Sequence, residues 1–158
     1  FRVNSKGLFN VPMGSYKNPR ILDRENLIAV SKALSKATIL QADFAKALDF
    51  ADNNTFIYYD PPYRPLSVTS SFTEYAEGDF NDDSQRGLAE FVRIIDKKGA
   101  KVLLSNSDPK NVNPEDEFFD ELYAGFLIQR ISASRMINSK GTARGKISEI
   151  LVSNYLEV

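Results

Sequence analysis

The chain has 158 residues, 42% apolar, 26% charged and 11% aromatic, with a formal net charge of −1, the make-up of one ordinary globular domain with a real core. It holds no cysteine and no histidine, which excludes disulfides, thiolate or imidazole metal centres, cysteine nucleophiles and histidine triads. No long apolar run and no signal-peptide pattern occur, so neither a membrane span nor export is expected, and the expected location is cytoplasmic.

The opening residues, Phe1 to Asn10, alternate as a short ribbon, and glycines and prolines then predict irregular loop to about Arg20. This stretch carries Arg2, Lys6, Lys17 and Arg20 and no acid. Arg2, Asn4, Asn10, Tyr16 and Lys17 are donor types that read base edges and phosphates, although any polar loop can hold them. Leu22 to Lys36 reads as a helix capped by Asp23, with Leu27, Val30, Ser31 and Leu34 along one side. Ala37 to Asp43 reads as a strand, and Phe44 to Ala51 as a short helix with Asp43 as its N-cap.

Phe56-Ile-Tyr-Tyr-Asp60 is a β-branched and aromatic run, read as a buried strand. Pro61 and Pro62 cannot donate to a ladder, so the strand must stop at Asp60. From Arg64 to Phe80 periodicity is lost, and Phe72, Tyr75 and Phe80 suggest a lid that packs down. Asp82, Asp83 or Ser84 is the expected cap of a helix whose face is Leu88, Phe91, Val92 and Ile95 and which ends at Lys97-Lys98-Gly99. Ala100 to Asn106 reads as a strand, with Ser105-Asn106-Ser107-Asp108 as its carboxyl-end loop. Asn113-Pro114-Glu115-Asp116-Glu117 predicts a helix start, Phe118, Phe119, Leu122 and Tyr123 its apolar side, and Gly125 its end. Phe126 to Ser134 and Ile147 to Tyr155 are read as an antiparallel pair, joined by a basic loop projecting from the same edge as Asp60. Gln129 to Ser148 holds Arg130, Arg135, Lys140, Arg144 and Lys146 without an acid, so two basic stretches are available to a phosphate backbone.

The stretch from Asp60 to Tyr63 places a carboxylate, a stiff carbonyl and an aromatic ring at the carboxyl end of a strand, where open α/β sheets bind ligands. Its plainer role is a proline-rich turn. Its chemical role follows from a difficulty of nucleobase amines, whose lone pair is delocalised into the ring. Two acceptors on the two N–H bonds, the Asp60 carboxylate and the Pro61 carbonyl, favour a pyramidal nitrogen with a free lone pair. Tyr63 is placed to stack on a base drawn out of a duplex. A methyl donor lined up opposite completes a direct transfer that needs neither metal nor covalent intermediate.

Together these blocks resemble the Dam-type (class D12) N6-adenine DNA methyltransferases, whose common target is GATC. The resemblance rests on Arg2-Val-Asn4, Phe9 to Pro19, Ala42-Asp43-Phe44, Asp60-Pro-Pro-Tyr63-Arg-Pro-Leu66, Phe72-Thr-Glu-Tyr75 and Ile137 to Gly145 leading into Glu149-Ile-Leu. It implies an α/β fold, an S-adenosylmethionine-dependent (Rossmann-like) methyltransferase sheet with a carboxy-terminal antiparallel strand pair. It implies that Asp60, Pro61, Pro62 and Tyr63 hold the adenine, and that Asp43, Phe44 and Asp60 border S-adenosylmethionine. Arg2, Asn4, Pro12, Ser15, Tyr16 and Lys17, with Asn138, Ser139, Lys140 and Arg144, are then the DNA-contacting set. Residues 1–20 would end the DNA-reading region, and 21–158 would form the carboxy-terminal part of the catalytic domain.

One departure stands out. Family members bind the cofactor through a glycine-rich strand-to-helix turn, and none of the eight glycines here forms a Gly-x-Gly. The chain also begins at Phe1 rather than Met. It is therefore expected to be the carboxy-terminal portion of an enzyme acting on double-stranded DNA within restriction-modification or related DNA methylation. The sheet is expected to be incomplete, with two strands missing between those ending at Asp43 and Asp60. The expected partners are an amino-terminal half, a complementing chain or a second copy of the fragment. An RNA or cytosine-N4 amine methyltransferase, or a non-catalytic nucleic-acid-binding remnant, are the alternatives.

Overall fold

Two parallel strands, β1 (Phe56–Tyr59) and β2 (Lys101–Ser107), and an antiparallel pair, β3 (Leu127–Ser134) and β4 (Lys146–Ser153), make a four-stranded mixed sheet in the order β1-β2-β4-β3. The structure is a computed structural model that describes residues 4, 6–8, 17–18, 21–66, 80–134 and 146–156. By its internal contacts the chain divides into two compact units, Phe1–Gln41 and Ala42–Val158. In the first, Asn4 and Leu8 close a tight turn through an Asn4 N–H···O=C Leu8 bond of 2.8 Å. The rest of the expected ribbon lies outside the described residues. Helix α1, Arg24–Leu34, forms as its pattern predicts, and Asp23 caps it by accepting from the Asn26 amide. None of its residues is buried.

The strand expected over Ala37 to Asp43 does not form. A strand exists only where a neighbour completes its ladder, and no described strand pairs with this segment, whose Ile39 and Leu40 are exposed. The expected helix after Asp43 is a 3₁₀ turn, Phe44–Asp49, and Asp43 caps it through the Ala45 amide at 2.8 Å.

In the second unit β1, Phe56–Tyr59, stops before Asp60, as the prolines require. It pairs in parallel with β2, Lys101–Ser107. Helix α2, Asp82–Lys97, connects them. Its cap is Asn81, one residue earlier than expected, accepting from the Asp83 and Ser84 amides, while both aspartates sit in the first turn. Gly99, at φ +82°, makes the reversal into β2 in a conformation that L side chains rarely adopt.

The helix expected from Asn113 starts later. Asn113 and Asp116 use their side chains to close turns onto Glu115 and Phe118, so α3 spans only Phe118–Leu122. β3, Leu127–Ser134, and β4, Lys146–Ser153, form the expected antiparallel pair. Antiparallel pairing of β2 with β4 sets Ser107 opposite Glu149. The end of β3 and the start of β4 therefore share the sheet edge where β1 and β2 finish. The basic loop between them, like the lid from 67 to 79, lies outside the described residues.

Leu88, Val92 and Ile95 of α2 pack with Val102 and Leu104 of β2, Ile150 and Val152 of β4, and Phe119 and Tyr123 of α3 in one buried core. Both helices thus cover one sheet face, and Arg93 ties them by donating to the Leu122 carbonyl at 2.6 Å. On the opposite face Phe56 and Tyr58 are 55% and 53% exposed. No described helix is long and apolar enough to cross a membrane. Phe119→Ala, which empties a fully buried aromatic site, is expected to lower the unfolding free energy by about 3–5 kcal/mol in urea titrations followed by circular dichroism.

Candidate active site at the carboxyl end of β1 and β2

The polar residues that end β2 lie beside the loop that leaves β1. Strand alternation sends Ser105 to the face of Tyr58, and Asn106 to the face of α2. Asn106 is fully buried. Its Oδ1 accepts from the Arg64 amide at 3.0 Å, and its Nδ2 donates to Gln85 Oε1 at 3.1 Å. Gln85, equally buried, donates from Nε2 to the Pro62 carbonyl at 3.0 Å. Ser107 Oγ donates to the Arg64 carbonyl at 2.7 Å. The backbone from Pro62 to Arg64 is thereby pinned from below.

Arg64 adds a second anchor. Its guanidinium pairs with both oxygens of Asp82, at 2.8 and 3.1 Å, and with Asp116 at 3.0 Å. It also lies 4.2 Å from the centre of the Phe118 ring. Burial opposes ionisation of Asp116, but the Phe118 amide and the Arg64 guanidinium outweigh it and hold the carboxyl below its ordinary value.

Above these anchors Asp60 is exposed, Pro61 half-buried and Pro62 exposed. Asp60 Oδ1 accepts from Ser105 Oγ at 3.1 Å. Among the described residues no donor reaches Asp60 Oδ2 or the Pro61 carbonyl. Asp60, Pro61 and Pro62 line a hollow of about 210 Å³ with Phe44, Tyr58, Tyr59, Phe80 and Leu88. Tyr63 is half-buried, and its hydroxyl points to Glu149 Oε2 at 3.5 Å. Burial pushes its phenol up; the Ser105 hydroxyl opposes this, and the Glu149 and Asp60 carboxylates add to it. The ring is therefore a neutral phenol at ordinary pH, suited to stacking.

The expected site residues fall into four groups. Asp60, Pro61, Pro62 and Phe44 meet at the hollow, with Tyr63 next along the chain. Asp43 is exposed and acts as the cap of the turn that carries Phe44. Asn4 turns its side-chain oxygen onto the Lys6 and Leu8 amides, and Lys17 is exposed. Arg2, Pro12, Ser15, Tyr16, Asn138, Ser139, Lys140 and Arg144 lie outside the described residues. Arg130, counted in the second basic stretch, pairs with Asp120 at 2.7 Å and Asp108 at 3.3 Å, so its charge is matched within the fold. Sequence reasoning missed Gln85, Ser105, Asn106 and Glu149. Gln85 left a signal, since it occupies an apolar-stripe position one turn before Leu88.

The family described as D12 class N6 adenine-specific DNA methyltransferase matches residues 1–137. The type II methyltransferase M.MjaIII of Methanocaldococcus jannaschii is 53% identical over 156 residues, covering 98% of this chain and 52% of that protein. The type II methyltransferase M1.LlaDCHI of Lactococcus lactis subsp. cremoris is 43% identical, covering 98% and 53%. The DNA adenine methylase of Escherichia coli K12 is 33% identical, covering 95% and 51%. The chain spans about half the length of the curated relatives it matches.

The Asp116 carboxyl titrates lower in the folded chain than in the unfolded one. Its contribution to stability is complete above the unfolded value of about 4 and is lost as pH falls through the folded value. Urea midpoints measured from pH 6 to pH 3 should therefore fall on the acid side. Arg64→Met, which removes the charge that Asp116 pairs with, should flatten that fall.

Proposed function

Since the chain belongs to the D12 class of N6 adenine-specific DNA methyltransferases, we propose that it carries the base-holding part of a site that methylates adenine N6 in duplex DNA, with GATC as the expected target. One observation supports this above the others. An exposed carboxylate oxygen of Asp60 and the stiff Pro61 carbonyl, both without described donors, border one hollow at the end of a strand. An adenine amine offers two N–H donors, and two acceptors held by rigid backbone match them. Accepting both bonds localises the nitrogen lone pair, which makes the amine nucleophilic. Tyr63 beside them supplies an aromatic face for the extruded base.

S-adenosylmethionine, when bound, supplies the electrophilic methyl group. The hollow of about 210 Å³ beside Phe44 is smaller than the roughly 300–1,000 Å³ that enclose a whole ligand. Phe44 and Asp60 would thus border only the part of the cofactor that meets the base at Asp60. Asp43 acts there by holding the Phe44 turn. The rest of the cofactor site, including a glycine-rich turn, belongs in this reading to the segment that makes the relatives twice as long.

The fold in this reading is an incomplete S-adenosylmethionine-dependent methyltransferase sheet. The outer edge of β1, unpaired among the described residues, is where further strands would add. Residues 1–20 would belong to the DNA-reading region and 21–158 to the catalytic domain. An amino-terminal half, a complementing chain or a second copy would complete the sheet, and double-stranded DNA is the substrate.

The chain by itself is expected to transfer no tritiated methyl group to a GATC duplex; robust turnover by the isolated polypeptide would overturn the division of the site. In the completed enzyme, Asp60→Ala is expected to abolish transfer while duplex binding in gel-shift titrations stays within about threefold. Near-normal transfer would remove Asp60 from the chemistry. Digestion of the product to nucleosides should yield N6-methyladenosine's deoxy form, and N4-methylcytosine would redirect the assignment.

A further inference from the structure

The sheet face that α2 and α3 leave uncovered carries a chain of hydroxyl groups leading into the site. Tyr58 Oη lies 2.9 Å from Ser105 Oγ, and Ser105 Oγ lies 3.1 Å from Asp60 Oδ1. The direction of these bonds follows from counting protons. A carboxylate only accepts, and a serine hydroxyl has one proton to give. Ser105 therefore donates to Asp60, and must accept from Tyr58. Ser105 is 3% exposed, while Tyr58 on the same face is 53% exposed. The serine is thus a fixed post, and the tyrosine orients its lone proton.

We propose that Ser105 is a positioning residue that sets the rotation of the Asp60 carboxylate, occupying Oδ1 so that Oδ2 is the oxygen presented to the amine of the substrate base, with Tyr58 holding the serine hydroxyl in its donating direction. This rests on the reading of Asp60 given above. The backbone beyond Asp60 is already pinned by Gln85, Asn106 and Ser107, but those contacts leave the Asp60 side chain free to turn. Terminal carboxyl torsions are broad and soft. Ser105 is the described residue that stops this one. Its neighbour Asn106 holds the loop from the other face of the same strand, so consecutive residues of β2 fix the two acceptors separately.

Ser105→Ala removes one hydroxyl, which also neighbours the Tyr63 phenol, and leaves the backbone anchors of Pro62 to Arg64 untouched. Misplacing a reacting group by about 1 Å can cost as much as 100-fold, and the expected loss in kcat for methyl transfer is about 10- to 100-fold, with KM for the duplex and the thermal midpoint unchanged. Ser105→Thr retains the donor and should recover most of that rate. Tyr58→Phe should give a smaller loss of the same kind. In the isolated chain, the Asp60 carboxyl ¹³C resonance, assigned by its disappearance in Asp60→Asn, should move in Ser105→Ala and return in Ser105→Thr. If Asp60→Ala abolishes transfer while Ser105→Ala leaves kcat unaltered, the positioning role is wrong and the site stands. If Ser105→Ala and Ser105→Thr are equally impaired, the hydroxyl is not what matters, and the proposal fails. If Asp60→Ala keeps its activity, the site assignment falls first, and an unmoved carboxyl resonance in Ser105→Ala would overturn the inference by itself.

Discussion

The Asn106 side chain is the contact on which the site depends. Buried amides are costly to leave unpaired, and this one is satisfied from three sides, the Ser107 amide of its own strand being one. It also accepts from the Arg64 amide and donates to Gln85, which in turn reaches the Pro62 carbonyl. These bonds tie the chain after β1 across the end of β2. Two prolines make that stretch stiff, and the amide pair decides where the stiff stretch lies.

The sheet divides the labour between its faces. On the covered face, α2 and α3 bury Leu88, Val92, Ile95, Phe119 and Tyr123 against β2 and β4, and the same face holds the Gln85–Asn106 pair. That side supplies rigidity. The open face carries Tyr58, Ser105 and, at its edge, Asp60 and Tyr63, while the hollow beside Asp60 reaches back to Leu88 of α2. A buried polar network under a loop is a stable arrangement only when every member is paired, and here each amide group of Asn106 has a partner. The Arg64 cluster performs a related task at longer range. It joins the start of α2 to the turn before α3 through Asp82 and Asp116, so that the loop and both helices are held as one body.

Charge also proved to be divided by use. Arg130 and Lys110 are matched by Asp108, Glu117 and Asp120 within the fold. A run of like charges in a sequence counts residues, whereas attraction for a polyanion depends on which of them lack internal partners.

Much of the local structure was legible in the sequence alone. The end of β1 at Asp60 follows from two residues without amide protons, α2 from its apolar stripe, Gly99 from the need for a left-handed turn, and the Asp43 and Asp23 caps from their side chains. The acceptor pair was visible for the same reason, since its members are neighbours in the chain. What the sequence did not determine depends on partners far away in it. Ala37 to Asp43 has strand-like composition but no described strand beside it. The helix expected at Asn113 starts late because Asp116 is engaged by Phe118 and by Arg64, the latter 52 positions earlier. Ser105 reads as a loop serine until β1 and β2 pair in parallel and bring Asp60, 45 positions away, to its hydroxyl. Strand order and register create these contacts, and no local periodicity encodes them; only the tertiary structure could decide which polar residues stand beneath the site.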